Sequence, residues 1–363
     1  MFVSFLKGEE LLGGELVAVD GTKIRAQNNK SNNYNEAKLK KHLEYVEAKT
    51  ESYIKELEQC DAAEDRQEAA ELNKKQIAEK LKNLGQRKTK FENLQAALAE
   101  SGEKQISTVD ADSRSLQIKD RITAVCYNVQ SINDSKHNLI VDIDTINKGD
   151  QGQLSAMVDK AKDILDVEEL TVLADKGYHV GRDLQAAKGN NITTVVAYPQ
   201  PRERKEIDRA YYTDQFIYDK QSNAYTCPAG CELTTNGKEY SKGRADRTSY
   251  TVKTYTTTAC STCPFKKSCT TSKYRKIDRS EYQEIIDENN KRVDENRELY
   301  KRRPLISEHV FGTIKRSWGY TYSLVKGLEK VNGEMAIIFT MYNLRRAMSI
   351  FGVNELKNRL AAW

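Results

Sequence analysis

Three acidic residues stand where their neighbours would let them act together. Asp20 directly follows the apolar run Leu-Val-Ala-Val, and Asp175 directly follows Val-Leu-Ala. Both runs are apolar enough to be central strands, so both carboxylates are expected at an edge of one sheet, where open α/β sheets place their sites. Glu308 falls on an expected helix with Lys315 seven residues later. Two helical turns span that distance, so the pair shares a face. Two Asp and one Glu converging at a sheet edge could hold two divalent cations about 3.5–4 Å apart, activating an attacking oxygen and stabilising a leaving oxygen at a phosphodiester. Carboxylate and water ligands suit Mg²⁺ or Mn²⁺. Taken singly, each residue reads as an ordinary turn or surface acid. Their joint arrangement beside a basic helix is what points to catalysis.

The cysteines suggest a second chemistry. Cys227-Pro-Ala-Gly-Cys231 is followed by Cys260-Ser-Thr-Cys263 and Cys269, so five of the seven fall in one stretch. Four thiolates from short loops suit a tetrahedral structural Zn²⁺. Cys227, Cys260, Cys263 and Cys269 are the expected set, with Cys231 as the alternative fourth ligand; small, partly buried thiols without metal are the competing reading. Cys60 and Cys126 read as isolated packing residues. The same stretch is basic: residues 237–277 hold ten Lys or Arg against two Asp or Glu. That local excess outweighs the whole-chain +5. Phosphate contact with a steep salt dependence is its expected use, and a merely soluble loop-rich face the alternative.

The elements that must position these groups can be read in outline. Residues 16–26 read as a strand, an Asp20-Gly21 turn and a second short strand. Residues 34–100 turn abruptly to Glu, Lys, Gln and Ala. Apolar or semi-apolar residues at 39, 43, 46, 50, 53, 57 and 60, and at 77, 81, 84, 88 and 91, alternate steps of four and three. This predicts two helices paired as an antiparallel hairpin around a break at 61–65, weakened by Thr50 and Lys88 on the seam. A β-hairpin is expected over 121–131 and 137–146, then a helix over 151–165, a buried strand over 170–174, a helix over 182–188 and a strand over 193–198. This order implies a mixed sheet with helices on its faces. Short polar segments fill 199–274, a charged helix covers 280–301, and helices over 304–317 and 334–351 finish the chain, the last stopped by Gly352. Asp142 and Asp144 read as solvent-facing alternation, His179 and His309 as structural, and Trp318 as core.

Composition sets limits. With 38% hydrophobic and 31% charged residues, part of the length must be solvated helix or surface, because a globular domain has roughly 45–50% apolar residues. The longest apolar run falls far short of the roughly 20 residues of a membrane span, and no signal peptide opens the sequence. An odd cysteine count argues against a secreted disulfide framework. The expectation is a soluble intracellular protein, cytoplasmic and with no membrane partner.

The ordered set Val19-Asp-Gly-Thr-Lys-Ile24, Leu173-Ala-Asp-Lys-Gly-Tyr178 and Glu308-His-Val-Phe-Gly-Thr-Ile-Lys315 resembles insertion-sequence transposases of the DDE superfamily. Tyr127-Asn-Val-Gln130, Asp110-Ala-Asp112 and the tail Tyr342-Asn-Leu-Arg-Arg346 support the resemblance, which covers nearly the whole chain. It implies a ribonuclease H-like α/β core of residues 1–33, 105–200 and 300–363. A helical hairpin (34–104) and a basic, cysteine-containing β-rich insertion with its return helix (201–299) would interrupt that core. It implies Asp20, Asp175 and Glu308 as the metal-binding triad, with two Mg²⁺ or Mn²⁺ ions and double-stranded DNA, element ends and target, as partner. Tyr300, Arg302 or Arg303, Lys315 and Arg316 would hold phosphates; Arg303 lies five residues before Glu308, one more than the commonest family spacing, and a solvated helix start is the alternative for 301–303. A bacterial, nucleoid-associated location and a homodimer pairing two ends are further implications. The first catalytic strand begins within about twenty residues of Met1, where relatives carry a helical end-binding region. A truncated, catalytically inactive DNA-binding remnant is therefore the alternative to a working enzyme, and a zinc-stabilised interaction module a third reading.

Overall fold

The computed structural model describes residues 1–62, 67–119, 121–243 and 249–363, with the side chains of residues 60–70 outside that description. Helix α1 (Phe2–Gly8) leads into β1 (Leu16–Arg25). The short strands β2 (Asn33–Tyr34) and β3 (Ile106–Ser107) flank two long helices, α2 (Glu36–Ala62) and α3 (Gln67–Ser101). Next come β4 (Arg114–Lys119), β5 (Ile122–Asp134), β6 (Leu139–Ile146), α4 (Leu154–Leu165), β7 (Leu170–Ala174), α5 (Gly181–Gly189) and β8 (Ile192–Val196). A second sheet is built from β9 (Ile217–Asp219), β10 (Ala224–Thr226), β11 (Glu232–Lys242), β12 (Tyr250–Thr256) and, after the single turn α6 (Lys266–Cys269), β13 (Lys276–Ser280). Five helices close the chain: α7 (Gln283–Glu295), α8 (Arg297–Tyr300), α9 (Arg303–Phe311), α10 (Leu328–Phe351) and α11 (Val353–Ala362). No helix among the described residues is long and apolar enough to cross a membrane.

The first sheet runs β4-β5-β1-β7-β8, with β6 also on β5. Strand β5 is long enough to serve two partners on one side, β4 opposite residues 122–126 and β6 opposite 128–134. Strand β1 is antiparallel to β5 and parallel to β7, and β7 is parallel to β8. A mixed α/β architecture is thus present, as the order of expected elements implied.

One expectation fails at the most important place. No turn forms at Asp20-Gly21: β1 pairs with β5 without a break from Val17 opposite Asp134 to Arg25 opposite Cys126. Gly21 is needed for close approach instead of reversal. A Cβ there would lie 2.5 Å from Gln130 Nε2 and 2.6 Å from Asp150 Oδ1, and a glycine inside a strand commonly marks such contact. Because strand side chains alternate faces, the two faces of β1 do different work. Val17 and Val19 pack with α4 and α5 through Leu154, Val158, Leu184 and Ala187. Leu16 and Ala18 pack on Ile306, Leu299 and Tyr300, and Ile24 packs on Val310, Ile314 and the apolar side of α10.

Two buried asparagines fasten the outer helices to the sheet. Asn289 of α7 donates to the Val196 carbonyl (2.7 Å) and accepts from its N–H (3.0 Å). Asn343 of α10 does the same to Ile140, at 2.8 Å each way. The tail motif Tyr342–Arg346 works as a structural clamp: Tyr342 donates to the Asn138 carbonyl and Arg346 to that of His137. Asp110 and Asp112 likewise accept from the N–H groups of Gly327 and Leu328 at the start of α10.

The hairpin forms as its spacing predicts. Leu39, Val46, Leu84 and Phe91 are buried between α2 and α3, while Lys88 turns outward to Glu47 at 3.1 Å. Positions 63–65 of the expected break and the side chain of Cys60 lie outside the described residues. Helices α1 and α11 and strand β4 were not expected. The charged helix expected over 280–301 is divided after Glu295, and α10 begins at Leu328, six residues before the expected start. Gly352, at φ 79°, does stop α10, yet α11 starts beside it. Asp144 lies 3.9 Å from Lys160 of α4 while its side chain stays 39% exposed.

Candidate active site

Register alone brings the two aspartates together. The parallel pairing of β1 with β7 ends at Val19 opposite Ala174, so Asp20 and Asp175 are the next residues on neighbouring strands, which lie about 4.8 Å apart. Strand β1 runs on while β7 ends. Asp175 then caps a short 3₁₀ turn, its carboxylate accepting the Gly177 N–H at 2.6 Å. Asp20 points to the α9 face, where Arg303 Nη1 donates to Oδ2 at 2.9 Å and the Ser307 hydroxyl donates to the same oxygen at 3.1 Å. The Gly21 N–H donates to Oδ1 at 2.8 Å. Burial raises the Asp20 pKa; Arg303 and the Gly21 N–H oppose it, and the charge of Asp175 adds to it.

Glu308 lies five residues beyond Arg303 on α9. Its side chain is 65% exposed, and its closest charged neighbour is Arg303 Nη2, at 4.0 Å. One guanidinium therefore stands between two of the three expected ligands. Among the described residues no group of three or more His, Cys, Asp or Glu side chains is arranged to hold a metal ion. The donor chemistry fits hard cations, since Asp20, Asp175 and Glu308 all present carboxylate oxygens. In the described arrangement, however, Asp20 is already engaged by Arg303.

The basic residues separate. Arg303 reaches the acids, whereas Arg302 and Arg316 are exposed. Tyr300 is half-buried against Leu16, Ala18 and Leu173, and burial raises its pKa against the opposing charge of Arg303. A regular helix would set Lys315 on the face of Glu308. The helix widens to a π-helical turn over residues 312–317, which shifts the phase. Lys315 Nζ folds back onto β1, donating to Thr22 Oγ1 at 3.1 Å and the Lys23 carbonyl at 3.0 Å. Burial lowers its pKa.

The sequence reading missed a fourth acid. Asp150, in the loop before α4, accepts from Lys23 Nζ (2.9 Å), Asn128 Nδ2 (2.8 Å) and Gln130 Nε2 (2.9 Å). Gln130 in turn accepts from the buried Tyr178 hydroxyl, which lies within the electrostatic reach of Asp150, Asp20 and Asp175. This network supports β1 and the Asp175 turn from the face opposite Arg303. Lys148-Gly-Asp150-Gln-Gly152 reads only as a loop, so no local pattern could have located it. Gln130 closes the Tyr127–Gln130 motif of the family resemblance, which implied no role for it. The histidines are structural: His179 Nε2 meets Asn290 Oδ1 and His309 Nδ1 meets the Tyr342 hydroxyl. Trp318 packs into the α10 core.

All five cysteines of the second sheet region line one small cavity of about 20 Å³. The Cys231 N–H donates to Cys227 Sγ at 3.3 Å. They converge as their spacing suggested, though not in an arrangement that itself holds a metal. Cys126 is buried as expected, and burial pushes its thiol to about 11.

A mixed sheet thus carries two neighbouring aspartates under a helix whose first residue, Arg303, reaches Asp20. Residues 226–348 match the family model of the transposase DDE domain. The match covers about a third of the chain and agrees with the resemblance to DDE-superfamily transposases. The matched stretch takes in the cysteines, Glu308 and Lys315 and leaves out Asp20 and Asp175. No curated protein and no solved structure matches the chain.

Proposed function

We propose that the chain cuts and rejoins DNA strands at the ends of a mobile element, with Asp20, Asp175 and Glu308 as the carboxylates that hold divalent cations. The carrying observation is the register of β1 on β7, which sets Asp20 beside Asp175 under the start of α9. When bound, two Mg²⁺ or Mn²⁺ ions would supply an activated oxygen and a stabilised leaving group. The protein's own groups do the positioning. Gly21 and Gly177 N–H groups orient the two aspartates, and Arg303, with its planar fork, suits a phosphate as well as a carboxylate. Exposed Arg302 and Arg316 would extend that phosphate contact. No side chain needs to form a covalent bond to DNA. The mixed sheet with helices on both faces supports a ribonuclease H-like core of residues 1–33, 105–200 and 300–363. The hairpin and the second sheet would then be insertions, the latter contributing basic surface.

Single-turnover cleavage of a labelled duplex carrying the element's ends, with Mg²⁺ or Mn²⁺, tests this against Asp175→Ala. Cleavage that disappears in the variant supports the assignment, and equal cleavage by both refutes it. Salt-sensitive binding with no cleavage by either would favour a non-catalytic DNA-binding chain, a reading for which the engaged state of Asp20 is the supporting observation.

A further inference from the structure

We propose that Arg303 is a resident counter-ion whose release from Asp20 by a DNA phosphate opens the carboxylates to divalent cations, so that cation and DNA binding reinforce each other. The inference rests on the reading of Asp20 and Asp175 as cation ligands. It starts from what Arg303 touches. Its side chain is 12% exposed, and its guanidinium bonds Asp20 Oδ2 at 2.9 Å and lies 4.0 Å from Glu308. It therefore occupies the ground between two carboxylates that a bridging cation would have to enter.

Asp20 has little left to offer. A carboxylate has about four lone-pair sites, and Gly21, Arg303 and Ser307 take three of them. A cation on Oδ2 would face the guanidinium at close range, with like charges opposed in a partly buried setting where screening by salt is weak. The free chain is thus electrostatically complete without metal at Asp20.

Arg303 is also placed to leave. It is the first residue of α9, next to Pro304, with exposed Arg302 and Leu305 on either side. Its Nε is buried without a hydrogen-bond partner, so the Asp20 contact does not use all of its donors. A phosphate can accept two parallel bonds from the fork. Moving to a phosphate would relieve Asp20 and give Arg303 two parallel bonds in place of one. Linkage then requires reciprocity: if DNA strengthens cation binding, the cation strengthens DNA binding by the same factor. In the absence of DNA, the site binds cations more weakly by that factor.

The test titrates Mn²⁺ into the full chain, following free Mn²⁺ by its paramagnetic resonance signal and subtracting ions bound to DNA alone. Arg303→Gln is expected to bind Mn²⁺ about tenfold or more tighter than the parent without DNA, within the usual range of coupling. A duplex should tighten Mn²⁺ binding to the parent by a similar factor and leave Arg303→Gln unchanged. A reciprocal measurement needs no variant: saturating Mn²⁺ should raise the parent's duplex affinity, read by fluorescence anisotropy, by that same factor. Equal Mn²⁺ affinity in parent and Arg303→Gln, or no reciprocal gain in the parent, overturns the coupling. Asp20→Asn and Asp175→Asn separate the two levels. If both lose Mn²⁺ while Arg303→Gln matches the parent, only the coupling fails. If both bind Mn²⁺ as the parent does, the carboxylate reading fails and the coupling falls with it.

Discussion

Gly21→Ala is the sharpest probe of why β1 runs straight through an Asp-Gly pair. The added Cβ would stand 2.5 Å from Gln130 Nε2, 2.6 Å from Asp150 Oδ1 and 2.9 Å from Asn128 Oδ1. Asn128 and Gln130 are fully buried, and both already donate to Asp150, so no flexible end is free to swing away. Overpacking costs about 1–3 kcal/mol. If Asp150 retreats, losing one charge-assisted bond brings the total to about 2.5–6 kcal/mol. Urea unfolding reads this as a lower midpoint at unchanged slope. Gly85→Ala in α3 is the control, because a Cβ there meets nothing within 4 Å. It should stabilise by about 0.5–1 kcal/mol, the usual helix-interior gain. A loss below about 1 kcal/mol for Gly21→Ala would refute the close-approach argument, since overpacking alone should exceed it.

Three further outcomes are expected. Asn343→Ala should cost about 2–5 kcal/mol in urea unfolding, because both the N–H and the C=O of buried Ile140 lose their partner; a change within about 0.5 kcal/mol would remove the clamp role. Burial would raise the Asp150 pKa, but Lys23, Asn128 and Gln130 hold it below the ordinary 3.8. The unfolded chain therefore takes up that proton first, and the stabilisation is full above 3.8 and lost as pH falls through the lower folded value. Stability of the parent relative to Asp150→Asn should be flat above about pH 5 and shrink in acid; a difference that grows in acid would reverse the sign. Lys267 and Lys276 are exposed beside the cysteine region. If they contact phosphates, replacing both by Ala should reduce the log–log salt slope of duplex binding by about 1.8, and an unchanged slope would take that surface out of the DNA contact.

What the sequence determined by itself was local and periodic. The three-and-four spacing of Leu39, Val46, Leu84 and Phe91 predicted the hairpin, because a helix buries whatever falls on one stripe. The runs before Asp20 and Asp175 predicted central strands, because only a strand covered on both faces tolerates such continuous apolarity. The cysteine spacing anticipated one shared pocket. Tertiary structure decided whatever depended on residues far apart in the chain. Whether Asp20-Gly21 turns or extends rests on Asn128, Gln130 and Asp150, more than a hundred positions away. The phase between Glu308 and Lys315 was set by a π-helical turn that packs Ile314 into the core while Lys315 bonds β1. That Arg303 and not Arg302 reaches Asp20 follows from which one lies over β1 once α9 docks. Spacing fixes a side chain's direction only relative to its own helix or strand; where that direction leads depends on the neighbour against which the element is buried.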